Sequence, residues 1–378
     1  MLDIFMKAMK KLLLLLSVLF LFSSFLFNND LKLIPENSND SKDSLTLIFA
    51  GDIMGHSPQF QAAYNPTIKT YNYDICFQGV KPYIEAADIA ICNLEVPLAG
   101  RPYSGYPNFS SPDALLDGLK NAGYDIMLTA NNHVVDRGMQ GLERTIKTIK
   151  SRNLLHAGSY VDEIQRDSLY PLVVEQKGIR IAFLNCTYGT NGIAVVAPNK
   201  VNYLDTLEIK NDIIKSKSKN VDFIVMTVHW GTEYELEGNS VQKMYADFFI
   251  RNGINLVVGS HPHVVQNAEI QYDKDSIPIP VFYSLGNSIS NQRKPYTDGG
   301  ILLKVVIGSQ YKRILTTSYM PVYVHRGLLN NVYQYHLVPT PQYFSDSANY
   351  QLNSKDKNSL IFFDSETRKR ITNFDVFQ

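Results

Sequence analysis

Residues 45–52 read LTLIFAGD, an apolar run interrupted only by Thr46 that stops at a glycine and delivers a carboxylate, Asp52, at its end. A short apolar run bounded by a turn signal predicts a strand buried on both faces. The same grammar returns along the chain. ADIAICNLE (87–95), YDIMLTANNH (124–133), GIRIAFLNCT (178–187), VDFIVMTVHWG (221–231) and INLVVGSHPH (254–263) are predicted strands, most of them running into polar donors. Between them, DALLDGLKNAG (113–123), MQGLERTIKTIKSRN (139–153), DTLEIKNDIIKSKSK (205–219) and VQKMYADFFIRNG (241–253) read as helices, with helical spacing plain at Leu142, Ile146 and Ile149. Apolar strands alternating with helices call for a sheet covered on both faces, so the expected class is α/β, a layered α/β/α sandwich. From Val264 onward strands follow one another on short links, clearest at 277–287 and 299–308. These later strands are expected to be antiparallel and to pack on the same core.

With 378 residues, 45% of them hydrophobic, the chain has enough apolar material for one large domain, expected at 45–340, followed by a C-terminal extension at 341–378. Lys+Arg and Asp+Glu both number 36, so no basic excess draws the chain onto nucleic acid, and nucleic acid is not an expected partner. Cys76, Cys92 and Cys186 are odd in number and unclustered, which reads as buried thiols and excludes a disulfide framework. At the N-terminus, Lys7, Lys10 and Lys11 precede an apolar stretch from Leu12 to Phe27. Residues 1–30 are therefore expected to be a signal peptide or a membrane anchor. Residues 31–44, which end in ENSNDSKDS, read as a polar linker to a folded domain that is exported, either membrane-anchored or extracytoplasmic in the cell envelope.

Ligands of an open α/β sheet gather outside the carboxyl ends of its strands. There this sequence places Asp52 with His56 close behind, then Asn93 and Glu95, then Asn131, Asn132 and His133 with Asp136, then His229, and finally His261 and His263. Each residue alone has a plainer explanation: an aspartate caps a helix, an asparagine supports a left-handed turn, and a single histidine is more often structural. Their recurrence at successive strand ends is what favours a joint site. A mixed set of carboxylate, amide and imidazole donors suits one or two divalent ions such as Mn, Fe or Zn, and is too rich in nitrogen for a dedicated calcium site. Two such ions roughly 3.5–4 Å apart would activate a water and hold the oxygens of a displacement. A nearby imidazole would protonate the leaving group. Asp136 and Arg137 either orient His133 or begin the following helix, and the helix role is favoured because acidic residues suit a helix start. Asn287, in YSLGN, either lines the pocket or belongs to a turn.

FAGDIMGH (49–56), CNLEVPLAG (92–100), TANNHVVDRG (129–138) with GLERT (141–145), HWGTEY (229–234), GSHPHVVQ (259–266) and YSLGN (283–287) occur in the order found in the CapA family of capsule and poly-gamma-glutamate synthesis proteins. The chain resembles that family over roughly residues 45–290, and the family's fold is similar to calcineurin-like metallophosphoesterases. The resemblance implies that Asp52 and Glu95 are metal-ligand carboxylates, with Glu95 in the bridging position. It implies Asn132 as the ligand amide, His133 as its catalytic neighbour, and His229, His261 and His263 as the later metal-binding histidines. His56, Asp136 and Asn287 are further candidates, whereas His156 and His325 match no motif. Two departures stand out: Met54 occupies the histidine position of the phosphoesterase Asp-x-His, and Glu95 is one methylene longer than the usual aspartate. One-ion and two-ion chemistry both stay open, as do a phosphoester and an amide as the bond attacked.

The family also implies partners. These are a capsule or envelope polymer such as poly-gamma-glutamate, a membrane ligase or export proteins, and the membrane itself through the N-terminal segment. Two rival readings stay open beside a metal-dependent hydrolase-like protein: a non-catalytic polymer-binding subunit of an export complex, and a general periplasmic phosphoesterase.

Overall fold

The computed structural model describes residues 44–329, 332–347, 350 and 352–378. The expected export segment at 1–30, and all of the expected linker except Ser44, lie outside the described residues. Among the described residues no helix is long and apolar enough to cross a membrane.

Strand β1 (Ser44–Ile53) pairs in parallel with β2 (Ile89–Leu94), which continues outward through β3 (Ile126–Leu128) to β4 (Leu155–Ala157). The chain then builds a second, six-stranded sheet from β5 (Leu172–Gln176), β6 (Ile179–Thr187), β7 (Phe223–His229), β8 (Leu256–Ser260), β9 (Ala268–Tyr272) and β10 (Pro278–Phe282), in the order β9-β10-β8-β7-β6-β5. Its inner four strands are parallel, and β5 and β9 close its edges antiparallel. The chain returns to the first sheet with β11 (Asn287–Ile289), parallel to β1, and with β12 (Gly299–Gly308), antiparallel to β1. Antiparallel β13 (Arg313–Leu329) and β14 (Val332–Pro339) extend it, and β15 (Asp375–Val376) pairs with β13 to complete nine strands. Of the later strands, β12 to β14 are antiparallel as expected, whereas the expected strand at 277–287 forms β10, which lies in the second sheet antiparallel to β9 but parallel to β8.

The alternation of β1 fixes the layers. Ile48 and Ala50 face outward, where Leu115, Leu116 and Leu119 of a helix over Ala114–Ala122 cover them. Leu47 and Phe49 face inward and meet Ile181, Phe183, Val225 and Leu256 of the second sheet. On that sheet's far side, Leu184 and Met226 pack under Ile209 and Ile213 of one helix, Thr206–Ser218, and Phe249 of another, Ser240–Asn252. The class is therefore layered α/β, with strands buried on both faces. The inner face of each sheet is covered by the other sheet, and helices cover the two outer faces. Leu47 and Phe49 are at most 1% exposed, and burying each contributes about 2 kcal/mol. A helix over Ser354–Arg370 adds Leu360 and Phe363 to the inter-sheet core.

Candidate metal centre

Local backbone chemistry places the first donors. The pairing of β1 with β2 shifts register between Ala50 and Asp52, so that Asp52 lies beside Asn93 of β2 and Asn287 of β11. Gly51 makes that approach feasible, since a Cβ there would stand 1.9 Å from the Gly286 carbonyl oxygen. The Asp52 amide donates to that same oxygen at 3.0 Å. Glu95 follows the end of β2, Asn132 and His133 follow β3, His229 ends β7, and His261 and His263 follow β8. His261 and His263 adopt φ of 102° and 59°, a left-handed backbone rare for residues with a side chain.

These strand ends converge. Glu95, His229 and His261 form one group whose candidate ligand atoms lie within 4.8 Å of one another, and Asp52, Glu95 and His263 form a second within the same limit. Glu95 belongs to both. Its Oε1 lies 3.6 Å from His229 Nε2 and 3.8 Å from His263 Nε2. The shared residue is fully buried, and none of the other four is more than 3% exposed.

The electrostatics of the cluster ask for a cation. Burial pushes the Glu95 carboxyl well above its ordinary range, and the neighbouring Asp52 charge pushes the same way. Burial also acts to raise Asp52, but the hydrogen bond and charge of His263, together with the Asn93 amide, hold it below the usual value. Burial drives His229 well below the ordinary imidazole value and His261 down to about 3, with positive charge on neighbouring histidines adding to both. Neutral imidazole is the form that binds a metal. Glu95 Oε1 and His261 Nδ1 are buried without a hydrogen-bond partner. Orphaned buried acceptors are costly, and a divalent ion would satisfy both, so the residues fit the ion that the sequence implies.

The remaining candidates sort by their contacts. Asn132 Oδ1 lies 3.0 Å from His229 Nε2, which puts the amide at the edge of the first group. The His133 ring meets the Asp136 carboxylate, Nδ1 to Oδ2 at 2.8 Å, and stands edge-on to Phe109 at 4.7 Å. Asp136 does not start a helix. The helix begins at Gly138 with no acidic residue in its first turn, and Asp136 Oδ2 instead also accepts the Phe109 amide at 2.8 Å. Asn287 Oδ1 lies 3.1 Å from His263 Nδ1 and so touches the cluster through that ring. His56 is in neither group. It caps the helix Ser57–Ala63 through Gln59, and burial pushes its imidazole down to about 4. Met54, at the position of the absent histidine, is 2% exposed and packs into the core between the first sheet and its helices.

Sequence reasoning placed Asn93 among the strand-end donors without giving it a role, and passed over Tyr188. Asn93 Nδ2 donates to Asp52 Oδ1 at 2.8 Å and to Glu95 Oε2 at 3.2 Å, while its Oδ1 accepts from Asn131 Nδ2 at 3.3 Å. That amide thus occupies Oε2 and leaves Oε1 as the open oxygen of Glu95. Its signal is an amide at the end of an otherwise apolar strand. Tyr188 lies over the His261 ring at 4.6 Å and nearly parallel to the His229 ring at 6.3 Å, forming a wall that no motif marks.

Fold and cluster together define a layered α/β protein with a buried carboxylate and histidine cluster whose donor atoms are close enough together to hold a metal ion. The chain belongs to the family described as bacterial capsule synthesis protein PGA_cap, which it matches over residues 46–292. The capsule biosynthesis protein CapA of Bacillus anthracis is 27% identical over 299 residues, 75% of this chain and 69% of that protein. The PGA biosynthesis protein CapA of Bacillus subtilis strain 168 is 27% identical over 270 residues, 68% of this chain and 66% of that one. Among solved structures, a phosphatase from Mycoplasma pneumoniae superposes with a TM-score of 0.45 at 16% identity, over 74% of this chain and 94% of its own. The NAD nucleotidase of Haemophilus influenzae gives 0.48 at 12% identity, over 86% and 68%. Those two likenesses carry no inference about chemistry.

Proposed function

We propose that this chain serves the production of a capsule or cell-envelope polymer at the outer face of a membrane, through a metal-dependent hydrolytic site of phosphoesterase type. The observation that carries the reading is the convergence of two donor groups on one unpartnered oxygen, Glu95 Oε1. Asp52, Glu95, His229, His261 and His263 would hold the ions, with the Asn132 amide at the edge. The donor set suits Mn, Fe or Zn. When bound, such an ion supplies a Lewis acid for a phosphoryl or carbonyl oxygen.

The chain's own residues do the rest. Asn93 keeps the two carboxylates in register by donating to both. Asp136 accepts a hydrogen bond from the proton on His133 Nδ1 and so orients the ring, and a second proton taken up from solvent at Nε2 is the one that the ring would pass to a leaving group. Poly-gamma-glutamate is the polymer supported by the name of the Bacillus subtilis relative. The lysines ahead of the apolar stretch at 12–27 support export and contact with the membrane, where a ligase or export protein would hand over the polymer.

Metal content and turnover of phosphoester and gamma-glutamyl substrates, measured on the full chain, test this reading. His261→Ala should lower metal content, while His133→Ala should keep the metal and lower turnover by about 100-fold. If neither change alters metal content or turnover, the reading fails. Met54, a buried apolar residue at the sequence position of the phosphoesterase Asp-x-His histidine, favours a second reading. In that reading the chain is a polymer-binding subunit, and it would hold metal and polymer without turning over either substrate.

A further inference from the structure

Outside the two donor groups, a groove of about 440 Å³ is lined by Arg293, Pro295 and Asp298 and by Lys355, Ser359 and Phe362. That volume is in the range of small-molecule sites. Asp298 is 9% exposed, and its Oδ1 is buried with no hydrogen-bond partner. Burial raises its carboxyl to about 6. The Arg293 guanidinium is committed elsewhere. Its Nη1 donates to the Val324 carbonyl at 2.6 Å and its Nη2 to the Ser290 carbonyl at 3.2 Å, and the Tyr335 ring lies 5.6 Å away.

Among the described residues, Arg293, Asp298 and Lys355 form no ion pair within 4.0 Å. Opposite charges that line one groove without pairing leave a gap suited to a guest carrying both signs. A lone water would satisfy Asp298 but would leave Lys355 and the apolar wall unused. That wall is Phe362, 42% exposed and lying against Tyr296 at 5.2 Å.

We propose that the groove binds a free α-amino acid with an apolar side chain, its ammonium group against Asp298, its carboxylate toward Lys355, and its side chain on Phe362 and Pro295. Both charged ends are needed, which distinguishes a free amino acid from the end of a peptide. The site is independent of the hydrolytic reading, and its test needs no turnover.

Titration calorimetry and ligand-observed NMR on the full chain, with L-leucine, N-acetyl-L-leucine and L-leucinamide, provide that test. L-leucine should saturate one site with Kd on the order of 1 mM, and blocking either end should weaken binding about 10-fold. Asp298→Asn, nearly the same shape, should weaken L-leucine binding about 10-fold, and Lys355→Ala about 3-fold. L-leucinamide, which lacks the carboxylate, should be indifferent to Lys355→Ala. The proposal is overturned if L-leucine does not bind, if the three probes bind alike, or if folded Asp298→Asn binds as the parent does. Should Asp298→Asn not fold, the blocked probes and Lys355→Ala on its exposed helix decide the matter.

Discussion

At the metal centre the nine-stranded sheet contributes the carboxylates and amides Asp52, Asn93, Glu95 and Asn132, whereas the six-stranded sheet contributes the imidazoles of His229, His261 and His263. Each contribution alone is poorly off. Burial and the Asp52 charge both disfavour an ionised Glu95, and burial together with neighbouring positive charge disfavours protonated His229 and His261. A cation between the sheets would satisfy both sides at once, because the carboxylates would meet a positive charge and the imidazoles would offer a neutral lone pair. The inter-sheet core, Leu47 and Phe49 against Phe183 and Val225, therefore sets the distances between donors as well as the stability of the fold.

The largest effect should come from the residue that both groups share. Glu95→Gln should weaken Mn or Zn binding by more than about 100-fold, because it strikes both groups, as a competitive metal titration would read. Single-group changes come next. His229→Ala and His263→Ala should each spare the ion of the other group, so bound metal falls by about half in either variant. If one of them empties the centre entirely, the two groups do not act as separate seats. A smaller effect is expected at Asn93→Ala, which leaves every ligand in place but releases two carboxylates. Metal affinity should fall about 10-fold in the same titration.

The smallest effect isolates burial from the cluster. His156, on β4, touches no carboxylate of the centre, yet burial pushes its imidazole down to about 4 from an ordinary value of 6.5. Because the folded value lies below the unfolded one, folding favours the neutral ring. Its stabilising effect is whole above pH 6.5 and is lost as pH falls toward about 4. In urea denaturation of the metal-free chain, the loss of stability over that window should be smaller in His156→Gln than in the parent by on the order of 1–2 kcal/mol. A slope unchanged in that variant would assign the decline to the imidazoles of the six-stranded sheet.

The strand ends were the most legible part of the sequence. Apolar runs such as LTLIFAGD and INLVVGSHPH end abruptly in chemistry-bearing residues, and the structure brings Asp52, Glu95, His229, His261 and His263 together. The second sheet was not legible, because an apolar run says that a strand is covered on both faces without saying by what. Strand β13 was hidden by Pro321, which argues against a central strand. The helix Ser354–Arg370 buries only Leu360, Phe363, Asp364 and Thr367, too sparse an apolar stripe to stand out in a polar tail. Asn93 was placed at its strand end but given no role, because its importance lies in which oxygens it occupies, and spacing does not encode that.

The backbone at His261 has a consequence for the history of such proteins. A side chain held at a φ of 102° costs on the order of 1–3 kcal/mol, which glycine would relieve at once. Only a benefit tied to the imidazole offsets that penalty generation after generation. A lineage that ceased to need its cation would be expected to drift to glycine at this position early, and retention of histidine there would mark the descendants in which the ion still matters.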